Sequence, residues 1–456
     1  MPEASSIQSR SIEDGLPPSQ RRWAMISIAV SLGMAVMDSN IVNVALPTIA
    51  DNLGISAAES VWVVNAYLLA VAVTLLPLAS LGDIIGYRRI YRTGLVAFTL
   101  ASLVCTFSDS LLTLTIARFF QGLGAAGIMS VNAAQVRLLY PSRLLGRGIG
   151  VTAMVVALSS GIGPTVAAGV LAFGTWPWLF ALNIPLGVLA LLLTARNLPA
   201  MPGSGGRFDT ISAVLNALGI GLLVMAIDSI AHRMNPALAI AGVALAVLVI
   251  WRLVRRQLSR SAPLLPVDLL RIRQFRLAIS AKTLSFTGQM AAFIALPFLL
   301  HDVLGYSAVE TGLLMTPWPA AIMVVAPLSG WLADHYPSAL ICGIGLAIKT
   351  VGLVLLAWTS QTMPLPAVLA CMALCGLGFG LFQSPNNHAI IGAVPVHRSG
   401  GAGGMQGTAR LLGQTLGAAL TALVFGLASD GITPALIMAA AFDAVAMTLC
   451  CYRFLR

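Results

Sequence analysis

One stretch of nine residues occurs twice. Asp51-Asn-Leu-Gly-Ile-Ser-Ala-Ala-Glu59 returns 251 positions later as Asp302-Val-Leu-Gly-Tyr-Ser-Ala-Val-Glu310, with six of the nine identical. The same offset carries Leu81 and Asp83 onto Leu332 and Asp334. Nearby offsets carry Ala45-Leu-Pro47 onto Ala295-Leu-Pro297 and Gly122-Leu-Gly124 onto Gly376-Leu-Gly378. The chain is therefore an internal duplication. Both copies are strongly apolar, and an apolar duplication predicts two similar helical bundles with a path between them.

Composition places those bundles in a bilayer. The chain is 58% hydrophobic and 9% charged, with a mean hydropathy of +0.90. A soluble chain of 456 residues needs far more surface charge. A spanning helix needs about 20 apolar residues. Fourteen such runs can be read, near 23–47, 60–81, 90–107, 112–136, 148–172, 177–195, 210–229, 236–251, 277–300, 311–333, 338–358, 363–387, 406–428 and 434–453.

The cations order these runs. Of the 26 Lys and Arg residues, 21 fall in alternate loops, counting the N-terminus as the first. Arg233 alone falls in the opposite loops, and Arg118, Lys282, Lys349 and Arg410 lie within spans. Cytoplasmic loops collect Lys and Arg, so both termini are expected in the cytoplasm. This bias also accounts for the net charge of +10 without a nucleic-acid partner. Spans 1–6 repeat as spans 9–14. The expected fold is an all-α polytopic membrane protein of two pseudo-symmetric six-helix bundles plus two intervening helices. Its parts are a cytoplasmic tail (1–22), a first bundle (23–196), two added helices with a basic linker facing anionic lipid (197–276), and a second bundle (277–456).

Several classes of chemistry find no support. No Gly-x-x-x-x-Gly-Lys-Ser/Thr loop is present, so no bound nucleotide is expected. The five histidines form no metal-ligand spacing, and the six cysteines lie in apolar stretches and read as small apolar side chains. No cofactor, metal or enzymatic activity is expected, and an ion gradient is left as the energy source.

A few residues stand out from the apolar background. Asp38 is a lone carboxylate deep in span 1, where an ionisable group is costly and marks a functional candidate. At 1.5 Å per residue it lies about 14 Å below the outer end of its span, and Arg118 about 9 Å below that of span 4. An Arg stem can bridge the difference. Arg118 favours the charged carboxylate and burial without it favours the protonated one, so the pair can switch a proton. A fixed structural ion pair is the alternative. Gln121, Asn132 and Gln135 continue the Arg118 face and are expected on the wall of a central cavity. Asn43, Asn65 and Gln289 are further candidates for substrate contact, with helix–helix hydrogen bonding as the alternative. Lys349 and Asp443 read as a buried structural pair. Asp228 is expected to be solvated, and Lys282 and Arg410 to extend towards a membrane surface.

Three motifs carry a family resemblance. Gly82-Asp-Ile-Ile-Gly86-Tyr-Arg-Arg89 lies between spans 2 and 3, with Gly330-Trp-Leu-Ala-Asp334 as its counterpart. Arg118-Phe-Phe-Gln121-Gly122-Leu-Gly124 lies in span 4, and Gly161-Ile-Gly163-Pro164 with Gly169 in span 5. Together these resemble the major facilitator superfamily. Met37-Asp38-Ser-Asn40-Ile-Val-Asn43-Val-Ala-Leu-Pro47, the stretch from Trp176 to Gly187 and Gly376 to Asn387 are similar to its fourteen-span drug:proton antiporter branch. The first copy of the loop motif has Ala79 where the family has Gly, and the second lacks the basic tail. The resemblance implies a proton-driven exporter of small lipophilic or cationic compounds in a bacterial inner membrane, working as a monomer by alternating access. Asp38 and Arg118 would couple protons. Asp83, Arg88, Arg89 and Asp334 would gate the inner side, and Gly161, Gly163, Pro164 and Gly169 would form the antiporter motif. The tenth span has no acid between Glu310 and Asp334, which weakens a preference for dications. Export of an endogenous metabolite is the next reading, and a receptor on a transporter scaffold a more distant one.

Overall fold

The computed structural model describes residues 15–141, 144–199, 203–231, 236–260, 264–359, 363–395, 398–428 and 430–455. Most of the expected tail, together with Arg143 and Arg233, lies outside them. Thirteen helices are long and apolar enough to cross a membrane: α1 Pro18–Leu53, α2 Ala57–Ile85, α4 Leu111–Leu139, α5 Leu145–Phe173, α6 Pro177–Asn197, α7 Thr210–Ile230, α8 Ala237–Leu258, α9 Arg273–Val303, α10 Ala308–His335, α11 Ser338–Ala357, α12 Leu365–Gly392, α13 Ser399–Leu427 and α14 Ile432–Phe454. The fourteenth, α3 Tyr87–Thr106, has Arg88, Arg89 and Arg92 in its first turns, which dilute its apolar character.

The duplication is visible in the packing. In the first bundle α1 packs on α5 and α6, α2 on α4, and α3 on α4 and α6. In the second, α9 packs on α13 and α14, α10 on α12, and α11 on α12 and α14. Close approaches of glycine repeat as well. Gly122 lies on the Tyr67 carbonyl and Gly376 on that of Trp318, while Gly124 meets the Gly94 carbonyl and Gly378 that of Gly345. None of the four leaves room for a Cβ, which is how small residues let apolar helices associate in lipid.

The nine-residue repeat is a turn followed by a helix start. Gly54 and Gly305 end α1 and the π-helical tail of α9 with φ of 63° and 74°. Ser56 and Ser307 then cap α2 and α10, with Glu59 and Glu310 each returning a 2.8 Å bond to the Ser backbone N–H. These capping boxes satisfy amide groups that lipid or the chain end would leave bare.

The intervening helices are a hairpin laid along the seam between bundles. α7 packs on both α2 and α13. Asn216 donates to the Val73 carbonyl at 2.9 Å, and Trp62 Nε1 donates to Asp228 at 2.7 Å. Asp228, expected to be merely solvated, is thus part of this joint. Asp209 caps α7, accepting from Ser212 and from Arg256 of α8 at 3.0 Å. Burial raises the Asp209 carboxyl, but the Ser212 and Arg256 bonds outweigh it and hold it below the usual carboxylate range.

Two expectations change here. α1 begins at Pro18 within the expected tail, and Leu16 donates to the Leu139 carbonyl at 3.1 Å, fastening the chain ahead of it. The linker, expected to face anionic lipid, is also docked on protein, with Arg271, Arg273 and Arg276 left exposed. α8 runs to Leu258, α9 starts at Arg273, and between them a short 3-10 turn, Val267–Arg271, docks on the second bundle. Leu269 is buried against Phe275, Ile390, Val394, Ala402 and Met405, and Asp268 pairs with Arg398 at 2.6 Å.

The bundles touch near the face away from the termini. Thr165 and Thr316 hydrogen-bond at 3.0 Å, Gly312 lies against Pro164 and Ala168, and Trp62 and Leu69 meet Leu416 and Leu420. Gly146 and Gly150 of α5, and Gly400, Gly403, Gly404 and Gly407 of α13, have nothing within 4 Å of where a Cβ would stand. These approaches predict opposite responses to alanine. Gly376→Ala should lose about 1–3 kcal/mol of unfolding free energy by overpacking, and Gly150→Ala should gain about 0.5–1 kcal/mol. Denaturant unfolding in micelles measures both. Equal responses would mean that the close approaches do not hold the bundles.

Candidate functional site

The polar centre of the first bundle is built from α1, α2, α4 and α6. Arg118 Nη1 donates to Asp38 Oδ2 at 2.5 Å, and both side chains are essentially unexposed. The expected approach of these two residues, derived from their depths, is found. The other carboxylate oxygen, Oδ1, accepts from Gln121 Nε2 at 3.0 Å and Asn183 Nδ2 at 2.6 Å. Arg118 also donates to Gln121 Oε1 at 2.6 Å and from Nε to the Val63 carbonyl at 3.0 Å. The Gln121 amide in turn donates to Ser102 of α3.

Aromatic rings close the remaining sides. The Arg118 guanidinium lies 4.4 Å from the Tyr67 ring and 5.6 Å from that of Phe180. Tyr67 is itself fixed by a 3.0 Å bond from its hydroxyl to the Ala35 carbonyl. Cation–π contact offsets part of the cost of removing the guanidinium from water. The Arg118 Nη2 nitrogen has no hydrogen-bond partner. The result is a charge pair held by side-chain amides from α4 and α6 and by a backbone carbonyl of α2.

Asn183 and Tyr67 were not singled out as site residues by sequence. Asn183 lies 145 positions from Asp38, and its only signal was its place in the Trp176–Gly187 stretch. Tyr67 carried no signal of its own.

The other candidates separate. Asn43, Asn65 and Gln289 are buried, and each has a side-chain oxygen without a partner. Asn132 is half-buried with its oxygen also unpaired. Gln135 is not on the path between bundles. It is buried inside the first bundle beside Tyr87, Arg88, Leu198 and Pro199, with neither amide atom bonded. The helical register fails because α4 is interrupted at Val131, whose φ and ψ of −103° and 0° rotate the segment beyond it.

The loop motif differs from its sequence reading in its contacts. Asp83 accepts from the Tyr87 hydroxyl at 2.5 Å, while Arg88 donates to the Ala195 carbonyl at 2.7 Å. The local cations expected to hold Asp83 do not pair with it among the described residues. Arg89 and Asp334 are exposed. In the antiporter motif, Gly161 faces Met323 and Pro319 across the bundle interface, Gly163 faces Asn40, and Pro164 faces Gly312. Gly169 has open space around it, and its neighbour Ala168 makes the contact instead.

The second bundle carries a different charge pair. Lys349 and Asp443 approach to 3.0 Å with neither side chain exposed, joining α11 to α14 as expected. Lys282 does not extend to a surface. It is 3% exposed and donates to Asn387 at 2.6 Å.

Thirteen helices apolar enough to span a membrane, the long helix α3 and no strand among the described residues define an all-α polytopic membrane protein. The sequence profile of the Major Facilitator Superfamily matches residues 28–418, and the chain belongs to that family. It is 52% identical over 434 residues to the uncharacterized transporter YebQ of Escherichia coli K12, covering 95% of each chain. It is 31% identical to the riboflavin transporter RibZ of Clostridioides difficile, over 89% of each. It is 32% identical to the multidrug resistance protein Stp of Mycobacterium tuberculosis, over 87% of this chain and 74% of the relative.

The central pair predicts a non-additive response. Arg118→Met should cost about 3–5 kcal/mol of unfolding free energy, because it leaves a buried carboxylate without its cation. Adding Asp38→Asn should recover part of that loss. A double variant as unstable as the sum of the single ones would mean that the two residues do not act as a pair.

Proposed function

We propose that the protein is a proton-driven exporter of small lipophilic compounds in a bacterial inner membrane. The observation that carries this reading is the Asp38–Arg118 pair, buried within one bundle and held by removable hydrogen bonds. A proton entering from outside neutralises Asp38 and frees Arg118, and its release inside restores the pair. A switch of this kind biases the two bundles between facing inward and facing outward, and the cargo travels on the return swing. The bias of arginine among loops supports cytoplasmic termini, and the contacts between bundles at the opposite face support an inward-open conformation. Asp83 serves as the latch that holds the inner face closed in the opposite conformation, with Asp334 as a weaker counterpart.

Likeness to Stp supports drug-like cargo. Likeness to RibZ supports a second reading, export of an endogenous metabolite. A preference for cations has less support. Within the spans Asp38 is paired with Arg118, Asp443 with Lys349, and Asp228 with the Trp62 indole.

Asp38→Asn tests the mechanism. The amide still accepts from Arg118 but cannot exchange a proton in the working range. In proteoliposomes with only a pH difference imposed, the folded variant should show no accumulation of cargo against its gradient. Uphill transport by that variant would remove Asp38 from the coupling role. Orientation has its own check. In intact cells an impermeant thiol reagent should reach Asp109→Cys and not Arg260→Cys, and labelling of the latter from outside would invert the topology.

A further inference from the structure

Four cations lie within the spans, and they fall into two kinds. Arg118 and Lys349 each have a carboxylate at hydrogen-bond distance. Lys282 and Arg410 have none among the described residues. The Lys282 ammonium has two neutral neighbours, the Asn387 amide oxygen at 2.6 Å and the Phe286 ring at 5.6 Å. Among the described residues Arg410 makes no hydrogen bond or ion pair, and its Nε is sealed from solvent without an acceptor. A bare cation in a low-dielectric site is strongly unfavourable, and two near one another are more so.

Packing puts these two side by side. Gly413 of α13 seats on the Thr283 carbonyl of α9. Lys282 adjoins Thr283, and Arg410 is one helical turn from Gly413 towards the terminal face. Arg410 is half-buried, and Lys282 is 3% exposed. The terminal-face end of α13 is the stretch whose glycines have open space around them, so the cations can be approached from that face.

We propose that Arg410 and Lys282 form the seat of a carboxylate on the transported compound. This rests on the exporter reading and names the class of its cargo, an apolar body carrying an acidic group. Tyr67 lies on α2, which packs on α13, and its ring is 4.4 Å from the Arg118 guanidinium, so the cargo's charge settles near the proton site. Occupation of the seat supplies the anion that the two cations lack.

The test uses the full chain in phosphatidylcholine nanodiscs. Melting temperature is followed with a series of monocarboxylates from acetate to 1-naphthoate, with 1-naphthamide, and with 1-naphthylmethylamine. The naphthoate should stabilise, with an apparent affinity at least about tenfold above the amide, and Arg410→Gln or Lys282→Gln should lower that affinity by about tenfold. Without any probe, Arg410→Gln should melt no lower than the parent, because it removes an uncompensated charge; a lower value would make Arg410 a structural residue. The absence of carboxylate-specific stabilisation in the parent, or tighter binding of the ammonium probe, overturns the proposal. Stabilisation that disappears in phosphatidylglycerol discs assigns the seat to a lipid headgroup and overturns it too. Asp38→Asn should keep naphthoate binding. If binding holds while no pH-driven transport occurs even in the parent, the anion seat stands and the exporter reading falls.

Discussion

The ion pair between Asp38 and Arg118 is the interaction on which the first bundle depends. Two charges have been taken out of water and placed where lipid surrounds the bundle, and neither can be tolerated there alone. Their mutual attraction needs good geometry and further hydrogen bonds to balance the lost hydration. The protein supplies both. Gln121 and Asn183 occupy the second carboxylate oxygen, the Val63 carbonyl takes the guanidinium Nε, and the Tyr67 ring covers its face. Helices α1, α2, α4 and α6 are thereby tied to a single charged point.

The two halves share a scaffold and differ in their charges. Glycine approaches, turns and capping boxes repeat at offsets near 251, yet the ion pair of the second bundle joins α11 to α14 rather than the equivalents of α1 and α4. Gly124 packs against the backbone at Phe98, and its counterpart Gly378 packs against the backbone at Lys349, so a phenylalanine in one half stands where the other has a lysine. The first bundle holds its charge pair on helices next to the seam. The second keeps its pair inside, and leaves Lys282 and Arg410 without carboxylates on α9 and α13. α13, which carries Arg410, packs on α2, the helix that carries Tyr67.

Much of the fold was legible because its causes are local. Apolar run lengths, the bias of arginine among loops and the repeated turn each follow from a few neighbouring residues. The Asp38–Arg118 pair was legible because depth in a straight helix is simple arithmetic. Other features depend on what packs nearby. Asn183 reaches Asp38 from another helix, which no spacing along the chain reports. Gln135 turned away because α4 is interrupted at Val131, so the register counted from Arg118 no longer applied. Lys282 looked able to reach a surface, but Asn387 and Phe286 hold it inside. The charges of the basic linker are visible in sequence, whereas the burial of Leu269 that docks it on the second bundle is not.

The central claim is that Asp38 gains and loses a proton while the protein works. Infrared spectroscopy of the protein in lipid, with pH stepped across the working range, reads this directly. The account predicts a protonated-carboxyl C=O band that grows on acidification, shifts in heavy water and is missing from Asp38→Asn. A band that persists unchanged in that variant, or none at all in a protein that still transports on a pH gradient, would contradict it.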